Sequence, residues 1–393
     1  MNKQSDNKKM EYRSTWRRSI AGVITIGLIA CLVIGITTGQ AQAPPLRMYT
    51  VTDLGVLPAK KDRASVPAGI NDLGQVTGTS GMALVDESAF LYHPDNNKGG
   101  LEDLGRNSTG VSRGFGINGV GDVVGDAAVS EGVYHAALFK NEKIVDLGAL
   151  KGAYLSRATG INASGQVVGY SGAKPDDNST DRAFGWSWGT GIFDIGTLGG
   201  QTAQAFAIND AGFVTGTSQI GDSGRVEMTH AFICQPFSML GRPIKQMIDL
   251  GTLGGNDSYG MAINANNHVV GYSTVNPQDN GIIHAFLYDG VKMRDLGSLA
   301  GWMGADQSYA LGVNLMDEVV GYSYVLAGSG DHPVKQVGFV YQRGEMLDLN
   351  GLIGEASGKY LIRAAIAINN SGQIAAIAEE LGTGETHAVL LTR

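Results

Sequence analysis

From residue 155 to 196 apolar positions recur with a period of two in four short runs separated by turn residues. Ser156-Arg157-Ala158-Thr159-Gly160-Ile161 reads as a first strand with small residues at alternate places. Asn162-Ala163-Ser164-Gly165 is a turn, in which Asn bonds its own backbone and Gly supplies the positive φ that returns the chain as a hairpin. Gln166-Val167-Val168-Gly169-Tyr170-Ser171 is a second strand, β-branched and alternating. After a variable loop, Ala183-Phe184-Gly185-Trp186 is the third, and a Gly-containing turn leads to Gly191-Ile192-Phe193-Asp194, the fourth. The pattern predicts a four-stranded antiparallel meander whose small first-strand residues suit the crowded place nearest a central axis.

The unit recurs. Asp-Leu-Gly or a close variant begins at Asp53, Asp103, Asp146, Asp194, Asp249, Asp295 and Asp348, at spacings of 43 to 55 residues. Small-Ile-Asn-x-x-Gly-x-Val-x-Gly and its variants place an Asn at Asn71, Asn118, Asn162, Asn209, Asn264, Asn314 and Asn369. A third run, like Ala-Phe-Leu-Tyr, begins near Ala89, Ala136, Ala183, Ala231, Ala285, Gly338 and Ala388. Several strands per unit at this period indicate a propeller. The ends decide between a ring and an open stack. The repeat region opens with a lone fourth strand, Tyr49 to Asp53, and ends with a lone third strand, His387 to Leu391. Pairing them closes a ring and removes exposed edges, whereas a linear solenoid needs no such complement. The expected fold is all-β: a seven-bladed β-propeller of four-stranded antiparallel blades over 44–393, preceded by a signal or anchor helix within 1–43.

That first segment is a different kind of polymer. Residues 1–18 hold six Lys/Arg and two acids, followed by an apolar run from Ile20 to about Ile36. This is the layout of an export signal. Three fates are open: cleavage after Ala41 or Ala43, retention of residues 20–37 as a membrane anchor, or lipidation of Cys31, since Leu28-Ile29-Ala30-Cys31 resembles a bacterial lipobox. The expected location is therefore secreted, periplasmic or cell-surface, with membrane attachment through the N-terminus open. Cys234 is the only other Cys, so a chain cut after Ala41 or Ala43 holds no intrachain disulfide.

Composition narrows the function. Gly is 58 of 393 residues with only 10 Pro, which fits tight turns rather than a collagen or a Pro-rich linker. The whole chain carries −8. Residues 44–393 carry 23 basic and 35 acidic residues, a net of −12, which argues against a nucleic-acid partner.

His-Ala-Phe at 230–232 and 284–286, with Asp-Leu-Gly-Thr-Leu-Gly-Gly at 249–255, resembles the bacterial HAF repeats, and the resemblance covers residues 48–393. It implies an extracellular repeat protein and no particular activity. Ser88, Arg182 and Val337 stand where three repeats would carry the His.

The conspicuous polar residues are repeated ones, and repetition points to framework. His135, His230, His284 and His387 lie around a ring, whereas metal ligands must converge on one ion. The seven Asp read as turn caps or inter-blade bonds, because acid–base catalysis needs one unequal pair. The seven Asn read as turn residues. Gly110-Val111-Ser112-Arg113-Gly114 matches a nucleophile elbow only formally, with no helix to follow it. The densest oxygen cluster is 175–181, where Asp176, Asn178 and Asp181 are the candidate cation ligands. Calcium is the ion it would suit, without EF-hand spacing, and no other cofactor is expected.

In a meander the loops between strands two and three share one end with the blade-to-blade connections. Those seven loops hold 13 acids and four Lys/Arg. They make this an acidic face on which a ligand would meet Asp176, Asp177, Asp181, Asp222, Asp279 and Asp331. The expected function is a non-enzymatic extracellular binding or scaffold propeller for a protein or glycan, monomeric. A secreted glycan hydrolase or lyase and a structural envelope protein are the alternatives.

Overall fold

A computed structural model of the chain describes residues 48–58, 64–81, 86–94, 100–105, 110–173, 178–221, 228–235, 237, 246–300, 306–326 and 334–393. These residues form a seven-bladed β-propeller, each blade a four-stranded antiparallel sheet. Blades 1 to 6 occupy 65–103, 112–148, 155–196, 199–249, 258–295 and 308–348, with their strands in chain order from the axis outward. Blade 7 takes three strands from 360–392 and its outermost strand from the N-terminal segment Thr50–Asp53. That strand pairs antiparallel with Thr386–Thr392, Thr50 opposite Thr392 and Asp53 opposite Val389. Innermost strands touch all the way round, blade 7 meeting blade 1. Residues 1–47, with the apolar run and Cys31, lie outside the described residues, among which no helix is long and apolar enough to cross a membrane.

The core lies between blades. Phe90, Phe184, Phe232, Phe286 and Phe339 are wholly buried, each contributing about 2–3 kcal/mol of apolar burial. Each stands opposite a second-strand glycine: Gly78, Gly169, Gly216, Gly271 and Gly321. The first and second strands shift register at a bulge in every blade, which presses the first-strand backbone onto that glycine. A Cβ at Gly169 would overlap the Arg157 carbonyl oxygen, and one at Gly271 the Tyr259 carbonyl oxygen. Serines clamp neighbouring blades. Ser156 Oγ donates to the Gly148 carbonyl at 2.6 Å and accepts from the Ala136 N–H at 2.8 Å. Ser65, Ser112, Ser258 and Ser308 repeat the arrangement.

One end of the axis is closed by the repeated Asn residues. Asn162 Oδ1 accepts from the backbone N–H of Ser164 and Gln166 at 3.1 and 3.0 Å, holding its own turn. Its Nδ2 donates to the Asn209 carbonyl in the next blade at 3.1 Å. The same inter-blade bond runs from Asn71 to Asn118, Asn118 to Asn162, Asn209 to Asn264, Asn264 to Asn314, Asn314 to Asn369 and Asn369 back to Asn71. The circuit is unbroken, and every member is buried. The left-handed turn position is Gly165 in blade 3, with φ of 72°. In blades 5 and 6 it is instead Asn267 and Asp317, at 63° and 57°. Asn and Asp tolerate this region better than other side chains. Here their side chains also receive the Nδ2 of Asn209 and Asn264, at 2.8 and 3.0 Å.

Candidate functional site

At the other end of the axis the blades differ. The first strand of blade 2 alternates buried and partly exposed positions, Ser112 buried, Arg113 open, Gly114 buried, Phe115 open. Ser112 faces the preceding blade, so the open positions face the only solvent an innermost strand can meet, the axial channel. The first open position, nearest the blade connections, is Val66, Arg113, Arg157, Gln204, Tyr259 and Tyr309 in blades 1 to 6. Directly across on the second strands stand Thr79, Asp126, Tyr170, Thr217, Tyr272 and Tyr322. In blade 7 the corresponding side chains are Arg363 and Glu379, joined as an ion pair.

Blades 2 and 3 make this mouth charged. Asp126 is 1 % exposed, and its Oδ2 accepts from Arg157 Nε at 2.9 Å and from Arg113 Nη1 at 3.4 Å. Its Oδ1 is buried with no hydrogen-bond partner among the described residues. Arg113 is also paired with Glu87, and its guanidinium lies 4.9 Å from the Tyr134 ring centroid. Arg157 Nη1 donates to Tyr170 Oη at 3.1 Å, and the guanidinium sits 4.8 Å from the Phe115 ring. Both cations are thus committed to groups of this chain.

Blades 5 and 6, across the axis from blade 2 in a seven-membered ring, make it aromatic. Tyr259 and Tyr272 stack at 4.8 Å and 20°, and Tyr309 and Tyr322 at 4.7 Å and 17°. Tyr272 meets Tyr309 edge-on at 4.9 Å, and Tyr324 extends the strip from Tyr322 at 5.9 Å. Burial pushes the Tyr322 hydroxyl up to about 12 and that of Tyr272 higher still, with the neighbouring tyrosines adding to it, so both are neutral donors at pH 7. Between this strip and blade 3 lies a cleft of about 320 Å³, lined by Ser179, Gln204, Thr217, Gln219, Thr229 and Tyr259 among others.

The repeated His and Asp residues sit on the outer strands and pair with each other. His135, His230 and His284 hold Asp146, Asp249 and Asp295 through Nδ1 at 3.0, 2.9 and 2.8 Å. In blade 7 His387 reaches Asp53 of the N-terminal strand at 2.7 Å, 334 positions away. Arg182, standing where blade 3 would carry the His, makes the same bond to Asp194 at 3.0 Å. Each Asp also caps the turn that follows it, as Asp249 Oδ1 accepts from the Gly251 N–H at 2.7 Å. No group of three or more metal-ligating side chains converges among the described residues.

Of the acidic-loop candidates, Asp176, Asp177, Asp222 and Asp331 lie outside the described residues. Asn178 falls in a short 3-10 turn, and Asp279 begins the third strand of blade 5. Asp181 is not on an open acidic surface: it is 2 % exposed and accepts from Gln204 Nε2 at 2.6 Å. The neighbouring blade covers it, which a loop sequence does not reveal. The mouth residues escaped sequence reasoning, yet a signal existed. In blades 1 to 6 they occupy a variable position, five before each Asn, inside a repeated motif whose position three before the Asn varies as well.

Residues 200–387 match the model of a family described as a protein of unknown function (DUF3466). No curated protein matches the chain. The β-propeller domain of the trilobed protease from Pyrococcus furiosus, whose own topology is described as open velcro, is similar with a TM-score of 0.52 at 10 % identity, over 84 % of this chain and 94 % of that one. An acylaminoacyl peptidase from Pyrococcus horikoshii aligns with a TM-score of 0.48 at 10 % identity, over 83 % of this chain. The chain spans about half, 51 %, of that peptidase. At this identity the likeness concerns the fold alone.

Proposed function

We propose that the protein is an exported, non-enzymatic binding propeller whose ligand docks at the connection end of the axis, at the mouth ringed by Arg113, Arg157, Gln204, Tyr259, Tyr309 and Arg363. One observation carries this reading: the blades depart from their repeat at the position that faces the channel at this end. A framework role would favour the same residue in each blade, as it does at the Asn end. The basic, apolar N-terminal segment supports export, with anchorage through residues 20–37 as one outcome of processing. The acidic loops at the same end favour a neutral or cationic ligand over a polyanion.

Binding accounts for the mouth better than hydrolysis of a glycan. Glycoside hydrolysis uses two carboxyl groups flanking the scissile bond. At the described mouth Asp126 is sealed under two arginines and Glu379 is held by Arg363. The test is a ligand screen with the full chain and with a triple variant, Gln204→Ala, Tyr259→Ala and Tyr309→Ala. A ligand bound equally by parent and folded variant places the site elsewhere. Catalytic turnover of any bound glycan would replace the binding reading with an enzymatic one.

A further inference from the structure

The chemistry of the mouth narrows the ligand class. The cleft beside blades 4 and 5 is at the small end of ligand-sized pockets. Among the described residues its polar side chains are uncharged hydroxyls and amides, with Tyr259 as the one aromatic wall. Gln204 is held in place by Asp181 through its amide nitrogen, and its amide oxygen makes no hydrogen bond to the described protein. From that wall the tyrosine strip continues across blades 5 and 6. Only Tyr309 in the strip bonds the protein through its hydroxyl, to Gln307 at 3.3 Å. The hydroxyls of Tyr259, Tyr272, Tyr322 and Tyr324 make no hydrogen bond to any described residue, and none of these oxygens is sealed from solvent. Tyrosines packed this closely usually find partners for their hydroxyls. Here the strip offers flat apolar rings and a row of neutral donors together.

We infer that the mouth binds a neutral carbohydrate segment, one sugar unit in the cleft between blades 4 and 5 and its neighbours along the tyrosine strip of blades 5 and 6. The inference rests on the mouth being the binding surface. A pyranose ring has one apolar C–H face and a rim of hydroxyls that both donate and accept. The first matches an aromatic wall, and the second matches Thr, Gln and Tyr oxygens. An anion would need a free cation, and Arg113 and Arg157 are each bonded to carboxylates. A divalent cation would need clustered carboxylates, and none is among the described residues that line the cleft. A proline-rich peptide would use the rings but leave the amides and hydroxyls of the cleft unmatched.

The experiment is calorimetric titration of the full chain, in mild detergent, with three hexasaccharides: β-1,4-linked glucose, α-1,4-linked glucose and β-1,4-linked N-acetylglucosamine. At least one is expected to bind. Tyr259→Ala should weaken it about tenfold, Tyr259→Phe by less than about threefold, and Thr229→Val and Tyr324→Ala by an intermediate factor. Thermal melts establish that each variant is folded, and Thr229→Val and Tyr324→Ala carry the test if Tyr259→Ala is not. Binding of none of the three overturns the carbohydrate inference. Binding of decaproline that is lost in Tyr259→Ala or Tyr324→Ala overturns it too, while leaving the mouth as the site. A hexasaccharide bound equally by all folded variants overturns both the inference and the placement of the site.

Discussion

The two ends of the axis are built from the same strands and obey opposite rules. At the Asn end seven copies of one residue do one job, and each amide satisfies both its own turn and the carbonyl of the next blade. Removing one member opens a circuit. At the connection end the corresponding seven positions hold Val, Arg, Gln and Tyr, and their partners differ from blade to blade. A repeat protein needs one end of its innermost strands to be uniform, because ring closure requires each blade to fit the next. It does not need both. The position freed at the other end is where a ligand surface can be written without cost to the ring.

The comparison predicts large stability effects at the framework and small ones at the mouth. Deleting residues 48–55 removes the outermost strand of blade 7, the buried Tyr49 and Leu54, and the Asp53 partner of His387. Several kcal/mol should be lost and an open edge exposed, read as a large drop in melting temperature with oligomers in light scattering. An unchanged melt with monomeric elution would show that the ring does not depend on this strand.

Next in size, Gly169→Ala drives a methyl into the Arg157 carbonyl at the bulge and should cost about 3 kcal/mol in chemical denaturation. Gly165→Ala meets no atom within 4 Å and should cost only about 1 kcal/mol for its left-handed backbone. Equal costs would mean that the close approach of first and second strands is relieved elsewhere. Asn162→Ala should cost about 2 kcal/mol, because it leaves two turn N–H groups without their acceptor and removes the inter-blade bond to the Asn209 carbonyl, which keeps only the Gly212 N–H. A cost near zero in a denaturant titration would remove the Asn circuit from the list of what holds the ring.

The His–Asp pairs predict a pH profile. Although burial opposes it, the hydrogen bonds from His230 and the Gly251 N–H hold the Asp249 carboxyl below its ordinary range, and His284 and Gly297 do the same for Asp295. A depressed carboxylate stabilises the fold above its unfolded pKa and loses that contribution as pH falls through the folded value. His284 is raised, chiefly by its hydrogen bond to Asp295, with Asp306 adding to it against burial. Its contribution is complete below the ordinary imidazole pKa and is lost as pH rises through the raised one. The His284–Asp295 pair therefore helps most between about pH 4 and 6.5. From pH 6 to 9 the melting temperature should fall more in the parent than in His284→Asn, and parallel curves would dismiss the coupling.

The smallest effects belong to the mouth. Tyr259→Phe and Tyr324→Phe remove hydroxyls that bond nothing in the described protein, so stability should stay within about 0.5 kcal/mol of the parent. A loss as large as that of Asn162→Ala would place these tyrosines in the framework and erase the contrast between the ends.

Seven blades, their strand order and the pairing of the two termini were legible because each follows from local rules repeated in register. Alternation marks a strand, Asn and Gly mark a turn, and a spare strand at one end matches a missing one at the other. The chain by itself determined that much, since period-two patterning and turn chemistry act over a few residues. It did not determine which atoms meet across blades. Asn71 and Asn118 are 47 residues apart, and Asp53 and His387 are 334 apart. Nothing in either local sequence names the other. Whether Asp181 faces water depends on Gln204 in the next blade, and whether five tyrosines form one strip depends on how blades 5 and 6 are rotated about the axis. Closure into a ring decided these contacts, because only closure turns the variable positions of successive repeats into neighbours around a common channel.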